Sequence, residues 1–220
     1  MAHAPGKPRL LLVRLEAFGF AIGSVLFATG ALTAQFAPDA AQSSNLQFMI
    51  GALFFTAAAA IQGWLAHKHQ AAADGAWQVK KAIRNPDWLS SVVQFLGTLY
   101  FNAMTIRAFV EPFVSQHQAN HAIWRPDMIG SSLFLISSII AWSPMARQRR
   151  HSHVQRRSIW ICQANLYGSM AFGVAALAGF YTVDGQLLNS AVANWATFAG
   201  GVFFFIGAVL LLPRWSQPLT

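Results

Sequence analysis

The stretch that decides the fold covers residues 88–114 and reads WLSSVVQFLGTLYFNAMTIRAFVEPFV. It is long enough to cross a bilayer as a helix, which takes about 20 residues. On a helix that turns about 100° per residue, however, several of its polar side chains share an arc of roughly 80°. These residues are Ser91, Gln94, Thr98, Asn102 and Thr105. Because polar atoms are costly in contact with lipid, this stripe is expected to face other helices or water.

The composition of the whole chain indicates a membrane protein built around this helix. Of its 220 residues, 55% are hydrophobic and only 10% are charged. Soluble domains contain about 25% charged residues. The single cysteine, Cys162, excludes an internal disulfide. The sequence contains no phosphate-binding glycine loop, no catalytic triad order and no HExxH helix, so neither an enzyme activity nor a cofactor is predicted.

Apolar runs and turn signals predict an all-α polytopic membrane protein with six transmembrane helices, arranged as three related two-helix hairpins. A short cytoplasmic segment, 1–14, precedes a transmembrane domain over 15–213. A signal peptide is the alternative for the first helix. Residues 67–87 are expected to form either a solvated loop or a surface helix capped by Asp74. The predicted helices cover about residues 15–36, 47–66, 88–113, 128–142, 159–181 and 194–212.

Lysine and arginine residues lie on alternate sides of the predicted helices. The N-terminal segment has three, the connection after the second helix four and the connection after the fourth helix five. The three opposite loops contain only Arg125, beside Asp39, Asp127 and Asp184. This positive-inside pattern predicts a multi-pass membrane protein with both termini in the cytoplasm. It accounts for the net charge of +8 without nucleic acid. Anionic lipid is the expected partner of Arg147, Arg149, Arg150, Arg156 and Arg157.

A glycine followed four residues later by a phenylalanine occurs in every predicted helix. The residue after each glycine is small, and six matches at similar depth indicate three copies of one hairpin. Helices in a bilayer associate where small residues let their backbones approach, so the motif is interpreted as a packing device. A ligand groove lined by the glycines is the alternative. The pairs are Gly23/Phe27, Gly51/Phe55, Gly97/Phe101, Gly130/Phe134, Gly168/Phe172 and Gly200/Phe204.

Four longer runs carry a family resemblance. They read VQFLGTLYFNAMT, WRPDMIGSSLFLISSIIAW, NLYGSMAFGVAAL and NWATFAGGVFFFIGAVLLLP, and together they fall within residues 88–213. In combination they resemble the YrhK-like family of uncharacterised bacterial integral membrane proteins, with the first two helices as a more divergent copy. The resemblance implies a small helical membrane domain in a bacterial inner membrane. It implies no activity, cofactor or catalytic residue.

Polar side chains inside the predicted helices are the candidate binding residues. Gln94 and Asn165 both lie three residues before their motif glycine, and Asp127 has the same position in the fourth helix. One interpretation is hydrogen bonding between helices, worth about 1 kcal/mol each. The other is a polar cavity that binds or passes a small solute or ion. Its candidate residues are Gln94, Thr98, Asn102, Thr105, Asn165 and Asp127.

Other charged and metal-ligating side chains give weaker signals. Arg107 and Glu111 are four residues apart on one helix face, and they are expected to form an interfacial ion pair. His117 and His121 have the same spacing, but a zinc site needs three or four ligands in fixed geometry. Two HxH pairs lie in the basic connections. No metal site is predicted.

Two classes of function remain open at this point. The first is a helix-packing scaffold or accessory membrane subunit, with a membrane-protein partner or a second copy of itself bound through the small-residue faces. The second is a small-solute or ion transporter or channel that uses the polar face of the third helix. The first is preferred from sequence because only that one helix is richly polar. Proton-coupled transport often uses an intramembrane acid, and none is evident at the membrane centre.

Overall fold

The computed structural model describes residues 7–74, 78–111, 115–148 and 156–213. It contains six helices that are long and apolar enough to cross a membrane, which confirms the predicted all-α, multi-pass architecture. Short helical elements connect some of them: a 3₁₀ turn (Pro38–Ala40), α3 (Val79–Ala82), α5 (Gln116–Ala119) and a π-helical turn (Asn120–Trp124). The spanning helices are α1 (Lys7–Phe36), α2 (Ala41–Asp74), α4 (Pro86–Val110), α6 (Arg125–Gln148), α7 (Arg156–Ala178) and α8 (Ser190–Leu211).

Asparagine side chains fix where two of the spanning helices begin. Asn85 precedes α4, and its side-chain oxygen accepts hydrogen bonds from the backbone N–H groups of Asp87 (3.0 Å) and Trp88 (3.4 Å). Pro86 follows at the first helical position, where its missing N–H costs nothing. Asn189 caps α8 in the same way through the N–H of Val192 (3.0 Å). Local sequence therefore determines these two starts.

Several helices extend beyond the predicted apolar spans. Helix α1 already begins at Lys7, and α2 continues to Asp74 instead of ending near residue 66. The apolar pattern reports only the part inside the hydrocarbon layer, whereas helix-favouring residues such as the alanines of 71–73 continue the helix outside it. Asp74 therefore ends a helix. The short α3 that follows has Gln78, not Asp74, as its N-cap.

Each spanning helix packs against two others, and together they close a ring in the order α1, α2, α4, α6, α7, α8. Consecutive helices run in opposite directions, so the start of α1 and the end of α8 lie at the same end of the bundle. Most of the described lysines and arginines lie toward this end, which we call the basic end. The other is the opposite end.

Each hairpin of the ring is held by the same reciprocal contact. A Cβ atom added at Gly23 of α1 would lie 2.7 Å from the ring of Phe55 and 2.9 Å from the carbonyl oxygen of Gly51. A Cβ atom added at Gly51 of α2 would in turn lie 2.9 Å from the ring of Phe27. Such distances exclude any side chain larger than hydrogen without movement of the neighbours. The same arrangement joins α7 to α8, and it joins α4 to α6 with a looser contact at Gly130, where an added Cβ atom would lie 3.6 Å from the ring of Phe101.

The six motif phenylalanines meet in the middle of the ring, where all are at most 4% exposed. Phe27, Phe101 and Phe172, from α1, α4 and α7, form one triangle with centroid distances of 5.5, 5.8 and 6.2 Å. The phenylalanines of α2, α6 and α8 form a second triangle with distances of 5.6, 5.8 and 6.2 Å. Within each hairpin the two triangles are joined at 5.1–5.5 Å. We call these six rings, Phe27, Phe55, Phe101, Phe134, Phe172 and Phe204, the phenylalanine prism.

Hydrogen bonds connect one hairpin to the next around the prism. Asn102 of α4 donates to the hydroxyl of Thr56 on α2 (2.7 Å). Ser138 of α6 and Ser169 of α7 share a hydrogen bond between their hydroxyls (2.8 Å). The seam between α1 and α8 is closed by close backbone approach at Gly201. Polar side chains and small residues thus both hold the ring together, as expected for helices in a bilayer.

Candidate functional site

Inside the ring of described helices, a cavity lies on each side of the phenylalanine prism. The larger cavity has a volume of about 270 Å³ and is lined by residues of all six spanning helices. Its floor is the triangle of Phe27, Phe101 and Phe172, and it reaches Tyr181 and Leu187 at the opposite end. The smaller cavity has a volume of about 40 Å³ and lies against Phe204 on the side of the basic end. The prism is therefore the barrier between two internal spaces.

The register of the glycine motif explains which side chains enter which cavity. The residue three positions before each motif glycine lies about 4.5 Å from it along the helix axis. In α2, α6 and α8 this position holds Phe48, Asp127 and Thr197, and all three line the larger cavity. In α1, α4 and α7 the same position holds Phe20, Gln94 and Asn165, which line the smaller one. Since alternate helices run in opposite directions, the position three residues before the glycine lies on one side of the prism in α2, α6 and α8 and on the other side in α1, α4 and α7.

Asp127 is the acidic residue of the larger cavity. The side chain is half-buried on the wall formed by α6. Among the described residues, its hydrogen-bond partner is Ser131, whose hydroxyl donates to Oδ1 at 3.4 Å. The residues that line this cavity within the described ranges include no lysine, arginine or histidine. The carboxylate therefore faces the cavity without a basic side chain beside it.

Tyr181 lies at the rim of the same cavity, just beyond the end of α7. Burial, together with the nearby Asp127 carboxylate, raises the pKa of the Tyr181 phenol above its usual value. The hydroxyl consequently stays protonated over the physiological range and remains able to donate a hydrogen bond. Asn45, Thr105, Asn194 and Thr197 add further polar groups to the lining of the cavity.

The smaller cavity is lined by side-chain amides. Gln94 is buried, and its Oε1 atom accepts a long hydrogen bond from Ser137 (3.5 Å). Asn165 lies against Gly207, where an added Cβ atom would come within 2.7 Å of its Oδ1 atom. The Oε1 atom of Gln62 is buried and has no hydrogen-bond partner among the described residues. The space can hold at most a few water-sized groups.

The structure does not bring the six candidate polar residues into one cavity. Thr105 and Asp127 line the larger space, and Gln94 and Asn165 line the smaller one. Thr98 is fully buried, and its hydroxyl donates to the carbonyl oxygen of Phe95 on its own helix. Asn102 lines neither space and bonds to Thr56 instead. The polar residues of α4 therefore do not share one surrounding. Thr105 lines the larger cavity, Gln94 lines the smaller one, and Thr98 and Asn102 form hydrogen bonds away from both.

Arg107 and Glu111 form no ion pair in the part of the chain that the structure describes. Glu111 is the C-cap of α4, with an extended backbone (φ −110°, ψ 122°), so its side chain leaves the helix face that carries Arg107. The two residues are joined only through the backbone, where the N–H of Glu111 donates to the carbonyl oxygen of Arg107 (2.9 Å). Both side chains are exposed.

The arginines near the basic end differ in their surroundings. Arg156 is exposed, whereas Arg157 is half-buried and donates to the carbonyl oxygens of Leu210 and Leu212. These carbonyls lie at the C-terminal end of α8, where a cation also interacts favourably with the helix dipole. Arg149 and Arg150 and the pair His151/His153 lie outside the described residues, as does the side chain of Arg147. Over the described ranges, no cluster of three or more metal-ligating side chains occurs.

A buried asparagine holds the segment that covers the larger cavity. Asn120 lies in the π-helical turn before α6, in a region predicted to be a loop. Its Nδ2 atom donates to the carbonyl oxygen of Tyr181 (2.8 Å), and its Oδ1 atom accepts from the N–H of Tyr181 (2.9 Å). Gln116 donates to the same carbonyl (3.2 Å). Sequence reasoning missed this contact because the partners are 61 residues apart and bond through the backbone of one of them.

Asn120→Asp is expected to destabilise this segment by about 1–3 kcal/mol, because a carboxylate cannot donate to the Tyr181 carbonyl and places an oxygen against it. Hydrogen exchange at the backbone amides around Tyr181 measures the effect. Gln116→Ala is the matched control, since its single bond to the same carbonyl is longer and partly exposed. Equal exchange rates in wild type and Asn120→Asp would show that the contact does not hold the segment.

Sequence reasoning also assigned the phenylalanines to packing alone and left out Tyr181, Asn45, Asn194 and Thr197. The register three residues before each glycine was available as a signal, but it had to be combined with the alternating direction of the helices. Comparison with known protein families, with curated proteins and with solved structures gives no match to this chain. The function therefore has to be argued from the cavities themselves.

Proposed function

We propose that this protein is a small-solute transporter or channel, in which the larger cavity receives the solute and the phenylalanine prism is the closed gate. The observation that carries the proposal is the position of the prism in the middle of one helix ring, between two spaces whose mainly apolar walls carry a few polar side chains. A protein needed only for packing has no requirement for a cavity of this size. Binding sites commonly occur between helices of a bundle and combine apolar walls with a few polar groups.

The orientation of the gate follows from the distribution of lysine and arginine. By the positive-inside rule, we propose that the basic end and both termini lie in the cytoplasm. In a bacterial inner membrane the larger cavity then faces the outside, and the amide-lined cavity faces the cytoplasm. Exposed Arg156 at the basic end is expected to contact anionic lipid. We also propose membership of the YrhK-like family on the sequence resemblance alone; it would add no activity to this arrangement.

The contacts of the motif glycines argue against the scaffold alternative. All six motif glycines face atoms of the chain's own neighbouring helix, and in five of them an added Cβ atom would lie within 3.0 Å of a phenylalanine ring. The small-residue faces that would bind a partner helix are thus occupied within the bundle. An accessory subunit would have to use a different surface.

Osmotic swelling of proteoliposomes tests the proposed gate. In Phe172→Leu/Phe204→Leu, one ring is removed from each triangle, so the double variant is expected to pass small osmolytes faster than wild type. Stopped-flow light scattering with neutral, cationic and anionic osmolytes measures the rate. Phe203→Leu is the matched control, because this residue lies beside Phe204 in the chain but packs against Tyr167 (5.6 Å) outside the prism.

The outcome separates the two classes of function. Faster swelling in the double variant, with Phe203→Leu equal to wild type, supports a gate in the prism. Swelling equal to that of empty liposomes for wild type and for the double variant, with both proteins folded, contradicts the proposal. That result would favour an accessory or scaffold role.

A further inference from the structure

We infer that the ligand of the larger cavity is a small organic cation, such as a primary or quaternary amine, held by Asp127 above an aromatic floor. The inference rests on the proposed function, since it names the solute class that the cavity would accept. The argument uses the charge of the cavity, its aromatic side chains and its size.

The charge of the lining favours a cation. Asp127 is the one carboxylic acid among the described lining residues, and no basic side chain accompanies it there. Its hydrogen bond from Ser131 is long and uses one of the two carboxylate oxygens. An ionised carboxylate accepts several hydrogen bonds, so this side chain has capacity for a further donor. An ammonium group supplies both the opposite charge and the donors. An anionic solute would instead meet the carboxylate as a like charge.

The aromatic side chains favour an organic rather than an inorganic cation. Phe27, Phe101 and Phe172 form the floor, and Phe48 and Tyr181 contribute to the walls. A cation within about 6 Å of an aromatic ring face is attracted by the ring quadrupole, and quaternary ammonium groups are typical partners of such rings. A small metal ion would need several oxygen ligands instead. No cluster of three or more acidic, histidine or cysteine side chains exists in the described ranges.

The size of the cavity limits the ligand. Ligand pockets are commonly about 300–1,000 Å³, and this cavity of 270 Å³ is just below that range. A compact amine fits such a volume, whereas a drug-sized or polymeric cation does not. The ammonium group would lie between the Asp127 carboxylate and the phenylalanine floor, and the rest of the ligand would extend toward Tyr181 and Leu187.

Of the three equivalent positions that line the larger cavity on α2, α6 and α8, only the one on α6 has a charged residue. Phe48, Asp127 and Thr197 are all three residues before a motif glycine, and all face the cavity. Thr197 therefore offers a second place for a carboxylate at a similar depth. Moving the charge from Asp127 to this position tests charge recognition separately from the local role of Asp127 beside Ser131.

Calorimetric titration of the full chain in lipid nanodiscs tests the inference. The probes are choline and its neutral isostere 3,3-dimethylbutan-1-ol, which has the same shape without the charge. Wild type is expected to bind choline at least about tenfold more tightly than the isostere, equivalent to about 1.4 kcal/mol. Asp127→Asn should lose about tenfold in choline affinity, and Asp127→Asn/Thr197→Asp should recover part of it. Asp184→Asn removes an exposed charge at the same end and should bind like wild type.

The outcomes distinguish this inference from the proposed function. Equal affinity for choline and the isostere, or unchanged choline affinity in Asp127→Asn, overturns the cation assignment. In that case faster swelling of the Phe172→Leu/Phe204→Leu liposomes still supports the gate. If choline does not bind and the swelling assay also shows no passage, both the ligand class and the transport proposal are contradicted.

Discussion

Phe134→Ala is expected to lower the free energy of unfolding by about 3–5 kcal/mol, the range found when a buried aromatic side chain is truncated. Phe134 is 1% exposed and is the largest fully buried side chain of the described chain. Its ring contacts Phe101 at 5.1 Å, Phe204 at 5.6 Å and Phe55 at 6.2 Å between centroids. Removal of the Phe134 ring would leave a cavity between the two triangles of the prism, next to Gly97 of α4.

Phe54→Ala is the control for this prediction. Phe54 precedes the prism residue Phe55 on α2, but it is 37% exposed and faces outward. Since lipid tails are as apolar as the side chain itself, its truncation should change stability little. Unfolding in mixed micelles, followed by tryptophan fluorescence, measures both variants. Similar losses in Phe134→Ala and Phe54→Ala would mean that the prism contributes no special stability.

Gly201→Ala is expected to destabilise the bundle by about 1–3 kcal/mol through overpacking at the seam between α1 and α8. A Cβ atom at this position would lie 2.9 Å from the carbonyl oxygen of Ser24 and 3.0 Å from the backbone nitrogen of Ala28. Backbone atoms cannot rotate away as a flexible side chain can, so α8 would have to move from α1. This seam joins the first hairpin to the last, and its separation would open the ring.

Gly173→Ala provides the matched control on α7. Apart from its chain neighbours and its own helix backbone, no described atom lies within 4 Å of a Cβ added there, so the substitution should cost no packing energy. Alanine is favoured over glycine in helices by up to about 1 kcal/mol, which predicts a neutral or stabilising change. Thermal unfolding of both variants in the same detergent gives the comparison. An apparent Tm for Gly201→Ala at or above that of Gly173→Ala would exclude close packing at the seam.

Together these two predictions separate stability from function. The prism residues hold the hairpins together and are also the proposed gate between the cavities, so their truncation is expected to affect both properties. Gly201 lies at the seam and lines neither cavity. A functional defect that appears in prism variants but not in destabilised seam variants would therefore identify the gate.

The amino-acid sequence by itself determined the fold class of this protein. Long apolar runs interrupted by turn residues leave few alternatives, because backbone polar groups in lipid must bond within their own helix. The confirmed six-helix architecture follows from that rule. The ends of the helices were harder to predict from the sequence, since α2 and the 116–124 segment remain helical outside the apolar spans. Helix propensity and contacts such as Asn120 with Tyr181 decide these boundaries, and the apolar pattern does not record them.

Tertiary structure alone decided how the polar side chains divide between the two cavities. In sequence, Gln94, Asp127 and Asn165 share one position relative to the motif glycine and suggest one site. In the folded ring Asp127 lies on one side of the phenylalanine prism and the two amides on the other. The reason is that neighbouring helices are antiparallel. The position three residues before the motif glycine therefore lies toward opposite ends of the bundle in neighbouring helices. The sequence determined the residues, and their direction in the bundle decided which of them meet.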